Sequence, residues 1–181
     1  MTRSKLLTAF FLIAGTGLFA QTKSVDVIKD ESSITYQINH TLHHIEATSK
    51  DGWFRVELDP SKKEIKSVTA QVDVMTFDSG NSNRDSHAME VIESIKYPDV
   101  TFASTSVTQT GDSISVAGKL TFHGVTKDIV MTGGAKWSQN MLEVQGRFEL
   151  SITAFKIERP ALLMIPVDDA LKFSLKAAFA F

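Results

Sequence analysis

The sequence predicts an all-β domain, either a sandwich or a barrel. Beyond residue 20, apolar residues recur at every second position, the spacing of strands with one buried face. In the first such run, Ile34, Tyr36 and Ile38 alternate with polar neighbours. Turn-forming segments such as 59–61 and 110–112 separate these runs. Short strands broken by turns at this rhythm are typical of sandwiches and barrels.

The N-terminal segment predicts export. Arg3 and Lys5 precede the apolar run Leu6–Ala14, and small residues then lead to Ala20. This is the order of a secretory signal peptide, with cleavage expected after Ala20. The run is shorter than the ~20 apolar residues of a membrane span. We therefore expect residues 1–20 to be removed and the domain 21–181 to be periplasmic or secreted.

The amino-acid composition further limits the kinds of protein and ligand that fit the sequence. The chain has no cysteine, so neither a disulfide nor a lipid-modified cysteine can hold or anchor it. It carries 19 Lys and Arg against 21 Asp and Glu. This mildly acidic balance provides no basic face for nucleic acid. The domain is long enough to be held together by its own core.

The later strands follow the same alternation. Gly118 and Gly146 interrupt two of them and predict bends. The apolar positions on one face are Phe54, Val56, Leu58, Val68, Ala70, Val72, Val74, Phe102, Ile114, Val116, Leu120, Phe122, Ile129, Met131, Leu142, Val144, Phe148, Leu150, Phe173, Leu175, Ala177, Phe179 and Phe181.

One segment has helical rather than strand spacing. Its apolar residues are Ala88, Val91, Ile92 and Ile95. Ser82 and Asp85 precede them in the spacing of a capping box, and Pro98 ends the segment. These features predict one amphipathic helix of about three turns. A second, shorter helix is predicted near 161–165, between two prolines.

Alternation shows that each strand has one apolar face, but not which way that face points. An outer-membrane barrel turns it toward lipid, and the C-terminal Phe181 would suit that class. The inserted helix and charged residues such as Arg55 and Lys172 on the polar faces favour an inward direction instead. For an inward face, a filled core and a hollow core both fit the mixture of large and small residues.

Two blocks of sequence resemble the YceI-like family of periplasmic polyisoprenoid- and lipid-binding proteins. The first contains Ser79-Gly80-Asn81, Arg84-Asp85, His87, Tyr97-Pro98 and Thr101-Phe102. The second, Leu120–Lys127, reads Leu-Thr-Phe-His-Gly-Val-Thr-Lys. The resemblance extends from about Asp26 to Phe181. It implies a lipocalin-like antiparallel eight-stranded β-barrel, with one or two short inserted helices, that holds a long apolar chain such as a polyisoprenoid or fatty-acyl derivative.

The resemblance and the alternation together give a hypothesis for the site. The residues expected to line a lipid-tail tunnel are Tyr36, Ile38, Phe54, Val56, Phe102, Leu120, Phe122 and Phe148. The candidates for contact with a polar head group are His40, Arg84 and His87. The competing hypotheses are an outer-membrane barrel and a solid-core barrel that acts as an interaction or stress protein without a ligand.

Catalysis and metal binding have little support in the sequence. Asp85-Ser86-His87 has the residue types of a catalytic triad, but adjacency along the chain is not triad geometry. No nucleophile elbow, P-loop or dinucleotide fingerprint occurs. His40, His43 and His44 are close in sequence, yet their pattern is that of a strand end and a loop. We therefore expect the protein not to be an enzyme and to bind no metal and no cofactor other than a lipid. A homodimer or transient contact with a membrane surface would be compatible with such a barrel.

Overall fold

The computed structural model describes residues 21–181, so the predicted signal peptide lies outside the described residues. The described part of the chain contains twelve strands: β1 (Lys23–Asp26), β2 (Ser33–His40), β3 (His43–Ser49), β4 (Trp53–Asp59), β5 (Glu64–Asp73), β6 (Asp99–Thr110), β7 (Ser113–Phe122), β8 (Val125–Trp137), β9 (Met141–Ser151), β10 (Ala161–Leu162), β11 (Ile165–Pro166) and β12 (Ala170–Ala180). The all-β antiparallel class is confirmed. The count of eight strands is too low, because ten strands share the main sheet.

The main sheet curls into a barrel. Its order is β1-β4-β5-β6-β7-β8-β9-β12-β2-β3, with every neighbouring pair antiparallel. β3 at one edge continues into β4 near the other edge through residues 50–52 only. The backbones of Thr48 and Asp78 exchange hydrogen bonds of 2.9 and 3.1 Å, and the N–H of Ile28 donates to the carbonyl of Ala178 at 2.8 Å. The chain therefore joins the two edges of its own sheet.

The apolar face of the strands points into the barrel. The buried cluster draws on nearly every long strand and includes Phe54, Phe102 and Phe179. Arg55 and Lys172, on the opposite faces of their strands, are exposed. The structure thus has the inward arrangement, and the outward one required of a lipid-facing barrel is not adopted by the described strands.

The inserted helix α1 runs from Ser82 to Val91. Its N-cap is Asn81, whose side chain accepts from the N–H of Arg84 at 3.1 Å. The prediction that Ser82 and Asp85 form a capping box is wrong: the Asp85 carboxylate instead accepts from the N–H and hydroxyl of Ser79. No helix between residues 21 and 181 has the length and apolar character needed to cross a membrane.

The second predicted helix is also wrong. Residues 161–166 form the two-stranded hairpin β10–β11 instead. Leu163 and Met164 at its tip adopt φ values of 52° and 65°, which reverse the chain and which a helix cannot contain. Residues 161–165 are all apolar and lie between two prolines, so the sequence shows no alternation that would predict a hairpin.

Because neighbouring strands run in opposite directions, the connections between them lie alternately at the two ends of the barrel. One end, called here the helix end, carries the β2–β3 turn, the β5–β6 connection with α1, the β7–β8 turn and the long connection 152–169. His123 in the β7–β8 turn joins two of these connections. Its buried ring lies 3.1 Å from the carbonyl oxygen of Phe155 and 3.0 Å from the carboxylate of Glu93. The helix end is thus tied together by side chains.

Gly124, beside His123, is expected to tolerate no side chain. Its φ is +69°, and a Cβ would lie 2.7 Å from the ring of Tyr97. Gly111 has a similar φ of +57° with nothing within 4 Å. The left-handed conformation alone costs an alanine about 1–2 kcal/mol. Gly124→Ala should therefore lower the free energy of unfolding by more than Gly111→Ala does. Urea denaturation of both variants measures the difference. Equal decreases in the free energy of unfolding would contradict the close packing of Gly124 on Tyr97.

Candidate functional site

A cavity of about 260 Å³ occupies the barrel interior. Its wall is almost entirely carbon, contributed by the inward faces of the strands and by α1. The structure brings all eight predicted tail-binding residues into this wall: Tyr36, Ile38, Phe54, Val56, Phe102, Leu120, Phe122 and Phe148. The sequence hypothesis therefore selects residues that share one space, whatever occupies it.

The interior is hollow in its middle and packed at its ends. Val68, Ala70 and Val144 point inward yet are only partly buried, because the surface they expose faces the cavity. Toward the ends, by contrast, Leu142 and Phe155 are fully enclosed by neighbouring side chains. A solid core would have buried all of these residues equally. The described barrel therefore has the hollow interior that alternation alone could not distinguish from a filled one.

Two aromatic residues form a flat part of the cavity wall. Phe148 on β9 and Phe173 on β12 are register partners, and their rings stack with centroids 4.7 Å apart and planes within 5°. Tyr36 meets Phe173 edge-on at 6.4 Å. Such aromatic pairs stabilise the fold by about 0.5–1.5 kcal/mol beyond simple burial. The wall at this point is a fixed apolar surface.

α1 covers the cavity without being buried itself. None of its residues is buried. The helix and the residue after it supply Arg84, His87, Ala88, Met89, Val91 and Ile92 to the cavity wall. His87 lines the cavity and is also exposed, so the cavity reaches solvent beside α1. The helix therefore forms the boundary between the apolar interior and water.

The polar groups of the cavity gather at this boundary. Arg84 donates from Nε to the hydroxyl and from Nη2 to the carbonyl of Ser79, both at 2.9 Å, which fixes its guanidinium at the rim. Burial raises the pKa of the Tyr36 hydroxyl, and the nearby Asp85 carboxylate raises it further. Tyr36 therefore stays neutral and can donate a hydrogen bond. A cationic group and a neutral donor thus stand at the helix end of an apolar chamber.

His40 lies apart from the other two predicted head-group residues. Its ring is buried and is absent from the cavity wall. Nδ1 accepts from the N–H of Leu42 at 3.2 Å, so Nε2 carries the proton and donates to the carbonyl of Ile165 at 2.9 Å. In the structure, His40 joins the β2–β3 turn to the β10–β11 hairpin.

The structure also shows wall residues that the hypothesis omitted. Phe173 and Leu175 on β12 alternate clearly and could have been included on that signal. Ile45 lies on a short strand with little alternation, and Phe77 follows a 3₁₀ turn. No periodic signal in the sequence points to these last two residues.

The neighbouring histidines do not converge. The rings of His40 and His43 lie 6.2 Å apart, and His44 instead pairs with the side chain of Asn39 at 2.7 Å. Within residues 21–181, no three His, Cys, Asp or Glu side chains come together in a way that could hold a metal ion.

Asp169 anchors the long connection at the helix end. Its carboxylate accepts from the hydroxyl of Ser151 at 2.5 Å and from the N–H of Thr153 at 2.9 Å. These two donors hold the pKa of Asp169 below its usual value. A lowered folded-state pKa stabilises the fold above the unfolded pKa of about 3.9, and this contribution is lost as pH falls through the folded value.

Asp169→Asn should therefore lower the melting temperature at pH 7 more than at strongly acidic pH. At low pH the wild-type carboxylate is itself protonated, so the two proteins should converge. Thermal unfolding followed by circular dichroism at both pH values measures the difference. Asp112→Asn, in an exposed turn, serves as the matched control. A gap between Asp169→Asn and wild type that is independent of pH would contradict this account.

Comparison with known proteins identifies the family. A family model described as the YceI-like domain matches residues 26–179. The chain belongs to the YceI-like family. Relatives of this YceI-like chain include a UPF0312 protein of Pseudomonas savastanoi pv. phaseolicola, 28% identical over 178 residues, with 90% of this chain and 93% of the relative covered. A UPF0312 protein of Vibrio cholerae is 29% identical over 168 residues, covering 85% and 89%.

Solved structures share the fold of this YceI-like chain. BcnA of Burkholderia cenocepacia matches with a TM-score of 0.74 at 20% identity, covering 84% of this chain and 98% of BcnA. A polyisoprenoid binding domain from Saccharophagus degradans, implicated in plant cell wall breakdown, matches with a TM-score of 0.65 at 11% identity, covering 86% and 97%. These similarities establish the architecture of the YceI-like barrel for this chain.

Proposed function

We propose that this protein binds one long apolar molecule, a polyisoprenoid or fatty-acyl derivative, inside the barrel and sequesters or carries it. The observation that carries the proposal is a carbon-lined cavity that opens beside Arg84 and His87. The tail would lie against the eight residues of the tunnel hypothesis, and the head group would meet Arg84 and His87 at the rim. The similarity to the polyisoprenoid binding domain of S. degradans supports this class of ligand.

The energetics of such binding come from the tail. Each buried methylene contributes about 0.8 kcal/mol, so ten contribute about 8 kcal/mol before association costs are subtracted. A few polar groups at the rim then need only orient the head group. The proposed activity is therefore binding rather than catalysis, and it requires no cofactor.

The proposed compartment is the periplasm or the exterior. The charged start, apolar run and small residues of positions 1–20 support export with removal near Ala20. A lipid that crosses an aqueous compartment must be shielded from water, and an enclosed apolar chamber provides that shielding. N-terminal sequencing of the exported protein would overturn this part of the proposal if Met1 were retained.

Native mass spectrometry of protein purified from its host, before and after delipidation, tests the ligand. We expect a lipid-sized mass on the fresh protein and saturable one-to-one binding of a fluorescent fatty acid by the delipidated protein. Absence of both would overturn the proposal.

A fatty alcohol of the same chain length tests whether the rim residues contact the head group. Arg84→Gln should weaken binding of the fatty acid more than binding of the fatty alcohol. Arg147→Gln, on the outer wall, should change neither affinity.

A further inference from the structure

The β10–β11 hairpin exposes an unusual apolar surface. Residues 160–166 read Pro-Ala-Leu-Leu-Met-Ile-Pro, without a single polar side chain. At the tip, Leu163 is 73% and Met164 95% exposed, and Ile165 beside them is 40% exposed. Scattered exposed apolar residues are normal, but a contiguous group marks a contact surface. We call residues 160–166 the apolar tip.

The apolar tip is held in place rather than loose. His40 donates to the carbonyl of Ile165 at 2.9 Å, the N–H of Val167 donates to the carbonyl of Pro160 at 2.9 Å, and Arg159 donates from Nε to the carbonyl of Val167 at 2.7 Å. Two-residue hairpin turns with positive φ at both positions strongly prefer Asn-Gly. This chain instead places leucine and methionine there, although the positive φ is unfavourable for both and their side chains are exposed rather than packed in the barrel.

The apolar tip is continuous with the cavity. Pro160 and Val167, which close the base of the hairpin, both line the cavity wall. The neighbouring β2–β3 turn, to which His40 connects the hairpin, presents Leu42, 56% exposed. The hairpin base therefore forms part of the cavity wall on one side and carries the apolar tip on the other.

We propose that the apolar tip, together with Leu42, inserts into the surface of a lipid bilayer, where the cavity exchanges its ligand. This inference rests on the proposed function, since a long apolar ligand resides in membranes when it is not bound. A second copy of the chain fits the surface less well: a stable interface uses about 20–30 residues per partner, and the tip has seven. A short, exposed apolar hairpin instead suits the shallow apolar layer beneath lipid head groups.

The experiment replaces the tip without weakening the fold. Leu163→Asn/Met164→Gly installs the preferred turn sequence, so the melting temperature should rise or stay unchanged while the apolar surface is lost. Val130→Ser removes an exposed aliphatic side chain from the outer wall and serves as control. Flotation with phosphatidylcholine vesicles measures membrane binding. Transfer of a fluorescent fatty acid from vesicles to delipidated protein measures exchange.

Wild type and Val130→Ser should float with vesicles, and the double variant should partition about tenfold less or weaker still. Its uptake of the probe from vesicles should slow correspondingly, with unchanged affinity for the probe in vesicle-free buffer. Wild-type protein that does not float, or a double variant that floats equally well, would overturn the inference. So would a wild-type dimer that the double variant abolishes. Flotation that depends on the tip in a protein that binds no probe would leave membrane docking intact and reject only the proposed function.

Discussion

Ala70→Phe is expected to reduce binding of a fluorescent fatty acid by at least about tenfold. Ala70 lies on β5 between its register partners Phe54 and Phe102, and its methyl group faces the cavity. A phenyl ring at this position would occupy space that the ligand tail needs. Because the ring enters a void rather than a packed core, the protein should still fold.

The control is Thr69→Phe, one residue earlier on the same strand. Thr69 is exposed on the outer wall, so the same ring there leaves the cavity unchanged. Titration of delipidated protein with the probe measures binding, and thermal unfolding confirms that both variants fold. Equal affinities for the two variants would show that the ligand lies elsewhere and would contradict the tunnel hypothesis.

Phe155→Ala is expected to cost about 3–5 kcal/mol of the free energy of unfolding. The ring is 2% exposed and packs on Phe122 at a centroid distance of 5.7 Å, so its removal leaves an empty space among fixed neighbours. A domain of this kind has only about 5–15 kcal/mol in total. The variant should therefore unfold at a much lower urea concentration than wild type.

Phe148→Ala provides the contrast that makes this result informative. Its ring faces the cavity and already lacks neighbours on one side, so fewer contacts are lost on truncation. We expect about 1–2 kcal/mol, below the cost for Phe155. Urea denaturation of both variants, measured without ligand, compares the two. An equal or larger loss at Phe148 would indicate that the barrel interior is packed solid in solution.

Strand alternation was sufficient to predict the wall of the barrel. On β2, β4 and β7 the hydrophobic period assigns each residue to one face, and a closed sheet has one inside. This is why the predicted tail residues share a single cavity. Two strands of the ten-stranded main sheet, β1 (Lys23–Asp26) and β3 (His43–Ser49), are not among the eight that the sequence predicts. β1 is short and mostly exposed, with only Val25 half-buried, and β3 shows little alternation, so neither leaves a clear periodic signal.

Hydrophobic alternation cannot predict features that depend on contacts between distant segments of the chain. The capping role of Asn81 and the carboxylate of Asp85 depends on how the preceding turn folds back onto the helix. The apolar composition of 161–165 fits a buried helix as well as an exposed hairpin, and only the φ values of the tip separate them. His40 and Arg84 are both head-group candidates from the sequence, yet the carbonyl that the His40 ring contacts belongs to Ile165, 125 positions away along the chain.

The contrast between α1 and the strands separates two properties of the proposed binding site. The strands provide most of the wall, so in the proposed complex they would determine which tails fit. The helix has no buried residue and contributes side chains to only one part of that wall. For the proposed ligand, the strands would therefore select the tail, and Arg84 and His87 of the helix would select the head group. Variation in the helix would then change the preferred head group and leave the accepted tail length the same.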